Sequence, residues 1–337
     1  LNQSFYSSLG EKKAFVLSHG RNMMILKIVG YAEQVAQYYR LEDFKAHIWI
    51  AHQRYPTKGR VWHPGGAHPF IGLDEALVHN GDFANYYSVC EYLRQRNVYV
   101  QFLTDTEVAV LVFDLLNRVY GYPLEYIIEA LAPTAEADFE HLPEEKRRIY
   151  RQIQATQIHG SPDGPWFFII ARTLAGEKKF QLIGITDTSM LRPQVFALQK
   201  GDFEIGLICS EKQAIDATLQ SLAQEDPRFG TAADVYWNAR GGSYTDGGSF
   251  IFTVAPDGNG SWKLSCTDKF GRGIDVPARR KPYDFSVRTA AAAPAAGLKR
   301  ELDIGVSEGN GDSLFARLSG KFPAWDYETI RSAIDYL

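Results

Sequence analysis

Three short stretches carry the residues best suited to chemistry: His52-Gln53-Arg54-Tyr55-Pro56-Thr57, His79-Asn80-Gly81 and Thr104-Asp105-Thr106-Glu107. Arg54 offers a forked cation that matches a carboxylate. Asp105 offers an anion near a predicted helix N-terminus, suited to an ammonium group. Asn80 supplies two carboxamide donors. The glycine after it lets a backbone N–H face a ligand with no side chain in the way. A carboxamide N–H beside a free backbone N–H is what a developing oxyanion needs. Taken alone, Asn80-Gly81 is a plain hairpin turn, and Asp105 and Glu107 are favourable charges in a first helical turn. Taken together, the three stretches describe a site that would hold an α-amino acid and activate its side-chain carbonyl. Glutamine is the obvious candidate.

Short elements must position these groups. The apolar runs 14–18, 23–29, 47–51, 75–79 and 98–102 read as strands. Arg54 follows the third of these, the Asn-Gly turn ends the fourth, and Asp105 follows the fifth. All three could therefore lie along one sheet edge. Apolar spacing predicts helices over 33–44, 85–96, 108–119, 124–131 and 144–158. Thr104 with Glu107 fits a capping box before the third. Residues 58–70, rich in Gly, Pro, His and Trp, read as a long loop of the kind that often carries function.

From Gly164 the period falls to two. Residues 166–171, 180–185, 194–198, 204–209 and 250–254 read as strands, with one helix over 211–222. Helices and strands come in blocks and do not alternate, which predicts stacked layers with antiparallel sheets. After about Val276 the composition shifts. Arg279-Arg280-Lys281-Pro282 and an Ala/Pro run over 289–296 read as a linker or an arm along a partner.

The totals exclude several classes. The 337 residues are 45% hydrophobic and 23% charged, as expected of a globular protein with a substantial core. A net charge of −4 with scattered basic residues argues against nucleic acid or an anionic membrane as partner. Three well-separated cysteines, Cys90, Cys209 and Cys266, fit neither a disulfide framework nor a zinc site. They suit a reducing compartment, so a cytoplasmic location is expected. No membrane span or signal peptide is visible. His63 and His68, with His52 or His79, raise a metal site as one alternative. No Cys, Asp or Glu stands at ligand spacing, so they read as loop and core histidines, and no metal is expected. There is no nucleotide or flavin fingerprint either.

Residues 18–116 resemble the class II, N-terminal-nucleophile (Ntn) glutamine amidotransferase domain, most closely that of glutamate synthases. The matching segments are 48–57, Gly65-Gly66-Ala67-His68-Pro69-Phe70, 78–82 and 104–108. The later Asp187-Thr188-Ser189-Met190-Leu191-Arg192-Pro193 resembles that family's Asp-Arg-x-x-Leu-Arg-Pro segment, extending the resemblance over 15–266. It implies an α+β fold, a four-layer αββα sandwich with two antiparallel sheets, over residues 1–275. Residues 276–337 are then a linker and a tail that could dock a partner.

The resemblance also implies glutamine hydrolysis to glutamate and ammonia, with the ammonia passed to a synthase subunit of a hetero-oligomer active in nitrogen assimilation. Arg54 would bind the glutamine carboxylate and Thr57 would support its loop. Asn80 and the Gly81 N–H would form the oxyanion hole. Asp105 would bind the ammonium, and Gly65, Gly66 and His68 would lie over the pocket. No cofactor is expected in this chain, and any FMN or iron–sulfur cluster would belong to the partner. The family's nucleophile is an N-terminal cysteine whose own amino group is the base. The sequence begins at Leu1. An upstream segment carrying that cysteine is expected, and the alternative is a non-catalytic scaffold or regulatory subunit that kept the fold.

Overall fold

Period-two apolar runs build two antiparallel sheets in the computed structural model, which describes residues 20, 22–53 and 64–274. Among these, β1 (Phe70–Ile71), β2 (Glu75–Gly81), β3 (Trp166–Leu174), β4 (Lys179–Thr186), β8 (Ser249–Pro256) and β9 (Trp262–Asp268) pair in that order. A second sheet has the order β6 (Glu204–Cys209), β5 (Val195–Lys200), β7 (Val235–Asn238).

Strand side chains alternate between faces, and the alternation separates two cores. Leu77, Phe168, Ile170, Ile183, Ile185 and Ile251 face a layer of helices. Those helices are α2 (Tyr86–Arg94), α3 (Asp105–Asp114), α4 (Leu124–Leu131) and α6 (Glu144–Gln157); α1 (Ala32–Tyr39) and the short α5 (Glu136–Phe139) complete the helices before β3. The intervening Phe167, Leu182, Phe250, Phe252 and Cys266 meet Phe196, Leu198 and Ile208 of the second sheet. On that sheet's far side, Ala197 and Leu207 pack on Ile215 and Leu219 of α7 (Lys212–Glu225). The layers run helix, sheet, sheet, helix, as expected. Burying each large side chain contributes about 1.5–3 kcal/mol. A fully buried Lys269–Glu129 pair, 2.5 Å apart, ties α4 to the residue after β9.

Several sequence readings need correction. The expected strands at 23–29, 47–51 and 98–102 do not form. Ile48 and Ile50 pack into the inter-sheet core, and Val98, Val100 and Phe102 pack under the helices. Their apolar character serves packing, with no ladder. The Glu107 carboxylate takes the backbone N–H groups of Gln101 and Phe102, both at 2.6 Å, in place of strand partners. Thr104 does cap α3, its hydroxyl accepting from Glu107 N–H at 3.1 Å. The Glu107 side chain, however, reaches two and three residues upstream of the cap. The first helix ends at Tyr39, where Arg40 turns left-handed at φ 52°. Strands β7 and β9 were not anticipated. The expected strand at 14–18 and the expected tail at 276–337 lie outside the described residues.

Candidate active site

The site is built at the end of β2. Asp82 N–H donates to Pro165 O at 3.1 Å. Hydrogen-bonded pairs alternate along an antiparallel ladder, so the Gly81/Trp166 pair is one whose N–H and C=O groups turn away from each other. Neighbouring contacts agree. The Trp166 carbonyl accepts from Asp187 N–H on its far side at 3.2 Å. His79, two residues before Gly81 on the same edge, turns its N–H toward His68 Nδ1 at 3.5 Å. The Gly81 N–H therefore points away from β3, toward the edge that carries the glycine loop.

Glycine is required here by sterics as well. Gly81 has φ +133°, and a Cβ would lie 2.0 Å from Pro165 O and 2.6 Å from the Trp166 Cα. Both belong to backbone that cannot swing aside.

Asn80 sits on the opposite face from His79. Its side-chain oxygen accepts from Arg192 Nη1 at 3.5 Å. Arg192 lies between β4 and β5, 112 residues away in sequence. Engaging the oxygen turns the amide's two N–H donors elsewhere. The sequence points to Arg192 only through the family-like segment 187–193 and gives it no contact with the turn. The resemblance of that segment was the available signal.

Asp105 opens α3 directly beside the turn. One carboxylate oxygen is 3.6 Å from His79 Nδ1, and the carboxylate also accepts from the backbone N–H groups of Thr106 and Phe83. It thus touches residues on both sides of Asn80-Gly81. Burial is the strongest influence and pushes this carboxyl up. The contacts with His79 and the two backbone donors outweigh it, leaving Asp105 below the ordinary carboxylate value and ionised at neutral pH. Its side chain remains 24% exposed, so the charge can reach a ligand.

The glycine loop closes one side. Residues Pro64–Gly66 form a 3₁₀ turn with Gly65 and Gly66 buried. Lys27 donates to Gly65 O at 3.2 Å and lies 4.0 Å from the Phe70 ring centroid. Burial lowers its amine to about 7, against the opposing pull of Glu107. His68 Nε2 is 2.9 Å from Thr106 Oγ1, and the His52 ring stacks on His68 with centroids 4.1 Å apart. Of the histidines expected in loop and core, His52, His68 and His79 therefore meet in one cluster, and His63 lies outside the described residues. Among the described residues, no group of three or more His, Cys, Asp or Glu could hold a metal ion. Arg54 and Thr57 lie outside the described residues.

The cysteines are poor nucleophiles where they stand. Burial pushes up the thiols of Cys90 and Cys209, and Cys266 reaches about 12. No helix among the described residues is long and apolar enough to cross a membrane.

Comparison with known proteins gives distant similarities. The chain is 37% identical over 210 residues to an uncharacterised protein of Archaeoglobus fulgidus, covering 62% of this chain and 53% of that one. It therefore spans about half the length of that relative. It is 31% identical over 102 residues to a glutamine–fructose-6-phosphate aminotransferase (isomerizing) of Campylobacter jejuni, covering 29% of this chain and 17% of that protein. Among solved structures, it is similar to the glutamine phosphoribosylpyrophosphate amidotransferase of B. subtilis, at 18% identity and a TM-score of 0.38, covering 69% of this chain and 37% of that one. No family model matches the chain. In sequence, then, the chain is similar over about a third of its length to a protein named for its use of glutamine.

Proposed function

We propose that this chain is the glutamine-hydrolysing part of a class II amidotransferase, releasing glutamate and ammonia for a synthase that aminates a second substrate. The observation that carries the reading is the junction of β2 and α3. The Gly81 N–H faces outward beside the Asn80 carboxamide, and the ionised Asp105 carboxylate contacts His79 and Phe83 on either side of that turn. Asp105 would take the ammonium of glutamine. The Asn80 Nδ2–H and Gly81 N–H would take the oxygen of its side-chain amide as negative charge develops there. Arg54 would clamp the α-carboxylate, with Thr57 supporting it. In support, His52, two residues before Arg54 in sequence, stacks on His68 with ring centroids 4.1 Å apart. Gly66 and His68 would wall the pocket.

The attacking group in this reading is the thiolate of a cysteine encoded upstream of Leu1 and exposed as the mature N-terminus. It attacks the amide carbon, its own amine carries the proton to the leaving ammonia, and water then cleaves the thioester. A glutamate-synthase-like partner is the acceptor we favour, on the resemblance of the segment 187–193. Any FMN or iron–sulfur group would belong to that partner, and the pair would be a cytoplasmic hetero-oligomer docked through residues 276–337.

The test is glutamate release from L-glutamine by the mature full-length protein. Asn80→Ala should cut the rate by about a hundredfold or more, the usual cost of one oxyanion donor. Arg54→Ala should act mainly through KM. Glutamine binding without glutamate release would identify a scaffold. Release that survives Asn80→Ala would remove the turn from the mechanism.

A further inference from the structure

Behind Asp105 stands a chain of polar groups that none of the chemistry above uses. His68 Nδ1 faces the backbone N–H of His79 at 3.5 Å. A backbone N–H can only donate, so Nδ1 must be the bare nitrogen and the ring proton sits on Nε2. That nitrogen is 2.9 Å from Thr106 Oγ1, which therefore receives the proton. The Thr106 hydroxyl is then free to donate onward, and Asp105 Oδ1 lies 3.5 Å away. His79 Nδ1 is 3.4 Å from the same hydroxyl and 3.6 Å from the same carboxylate oxygen. The ionised carboxylate can only accept, so facing it Nδ1 carries the hydrogen. His79 Nε2 is buried and has no partner among the described residues. The His79 ring packs at 5.3 and 5.4 Å from the Phe83 and Phe168 rings. An Nε2 without a proton suits that apolar wall better than an N–H would.

The Thr106 hydroxyl and His79 Nδ1 thus both turn to one carboxylate, and His68 backs the hydroxyl. We propose that His79 is the positioning residue of Asp105, and that Thr106 couples it to His68, so that the ammonium-binding carboxylate and the glycine loop over the pocket are set by one relay. The inference rests on the glutamine reading for what Asp105 binds, but not for the relay itself. The side chain of His79 is 2% exposed, so it acts through Asp105 and does not touch substrate. Its role depends on one nitrogen. Asparagine places an N–H near the position of Nδ1, whereas glutamine places one near Nε2 and leaves Asp105 unsupported.

The test has two independent arms on the full chain. The first uses no ligand. Nitrogen-15 spectra of the imidazoles at pH 8, where ordinary histidines are neutral, should show the Nδ1–H tautomer for His79 and the Nε2–H tautomer for His68. Asp105→Asn should alter the His79 signal. The opposite tautomer on either ring overturns the relay, whatever the protein binds. The second arm measures L-glutamate binding by calorimetry. His79→Asn should bind within about twofold of the wild type, and His79→Gln should lose about tenfold or more, the worth of one hydrogen bond to a charged group. Equal loss in both variants would make His79 a space-filling residue and overturn the positioning role. If the wild type binds no glutamate, the glutamine reading fails, and the tautomers alone decide the relay.

Discussion

Replacing Gly81 by alanine separates what the Asn-Gly turn needs for folding from what it needs for chemistry. The new methyl would lie 2.0 Å from Pro165 O, 2.6 Å from the Trp166 Cα and 2.9 Å from the Pro165 carbonyl carbon, at φ +133°. These atoms belong to β3 and its approach, which a ladder holds to β2 over seven residue pairs. They cannot yield without opening the ladder. Holding a non-glycine residue in this backbone region costs about 1–3 kcal/mol, and overpacking against fixed neighbours adds about 1–3 kcal/mol. The sum, roughly 2–6 kcal/mol, is a large part of the about 5–15 kcal/mol that holds a domain together.

Gly121→Ala is the matched control. Gly121 also has positive φ, at +67°, but an added Cβ would meet nothing within 4 Å. It should cost only the left-handed penalty, about 1–2 kcal/mol. Urea unfolding followed by tryptophan fluorescence, with the slope compared as well as the midpoint, reads the difference. If Gly81→Ala costs no more than Gly121→Ala, the tight apposition of β2 and β3 at the turn is wrong. The orientation assigned to the Gly81 N–H then falls with it. A large cost also means that lost activity in Gly81→Ala would say little about catalysis, which leaves Asn80 as the cleaner probe.

The remaining predictions concern the far end of β2 and the segment beside Asn80. Burial, and then the neighbouring Asp114, raise the Glu75 carboxyl from its ordinary value to about 8. A carboxyl raised on folding contributes stability that is complete below its unfolded value and is lost as pH rises through about 8. Glu75→Gln should therefore gain stability relative to the wild type between pH 5 and pH 9, measured by urea unfolding at both; an unchanged difference would place Glu75 in an ordinary environment. Arg192→Ala removes the contact that orients Asn80. It should lower the rate of glutamate release, by less than Asn80→Ala does, with KM little changed. A loss equal to that of Asn80→Ala would give Arg192 a direct role on substrate.

The layered fold was legible because β3, β4 and β8 are long apolar runs and because helices and strands come in blocks. Where one face of an element meets solvent, the pattern fades. Strand β9 carries Lys263 and Ser265 among exposed positions at a sheet edge, and β7 is four residues long. Apolar character also misled at 98–102, where a buried glutamate supplies the acceptors that a neighbouring strand would have provided. Asn80, Gly81 and Asp105 could be singled out as candidates from residue type and order, since each stands at an element boundary. Their supports could not. Arg192 reaches Asn80 across 112 residues and His68 meets Thr106 across 38, and both contacts exist only once the layers are stacked. The histidines were visible as residues, but their tautomers depend on which backbone N–H each ring meets.

The most direct measurement is a crystal structure of the mature full-length protein with L-glutamate bound. We expect one oxygen of its side-chain carboxylate between Asn80 Nδ2 and the Gly81 N–H, its ammonium on Asp105 and its α-carboxylate on Arg54. Glutamate bound elsewhere, or bound here with its ammonium away from Asp105, would contradict the assignment of this turn as a glutamine site.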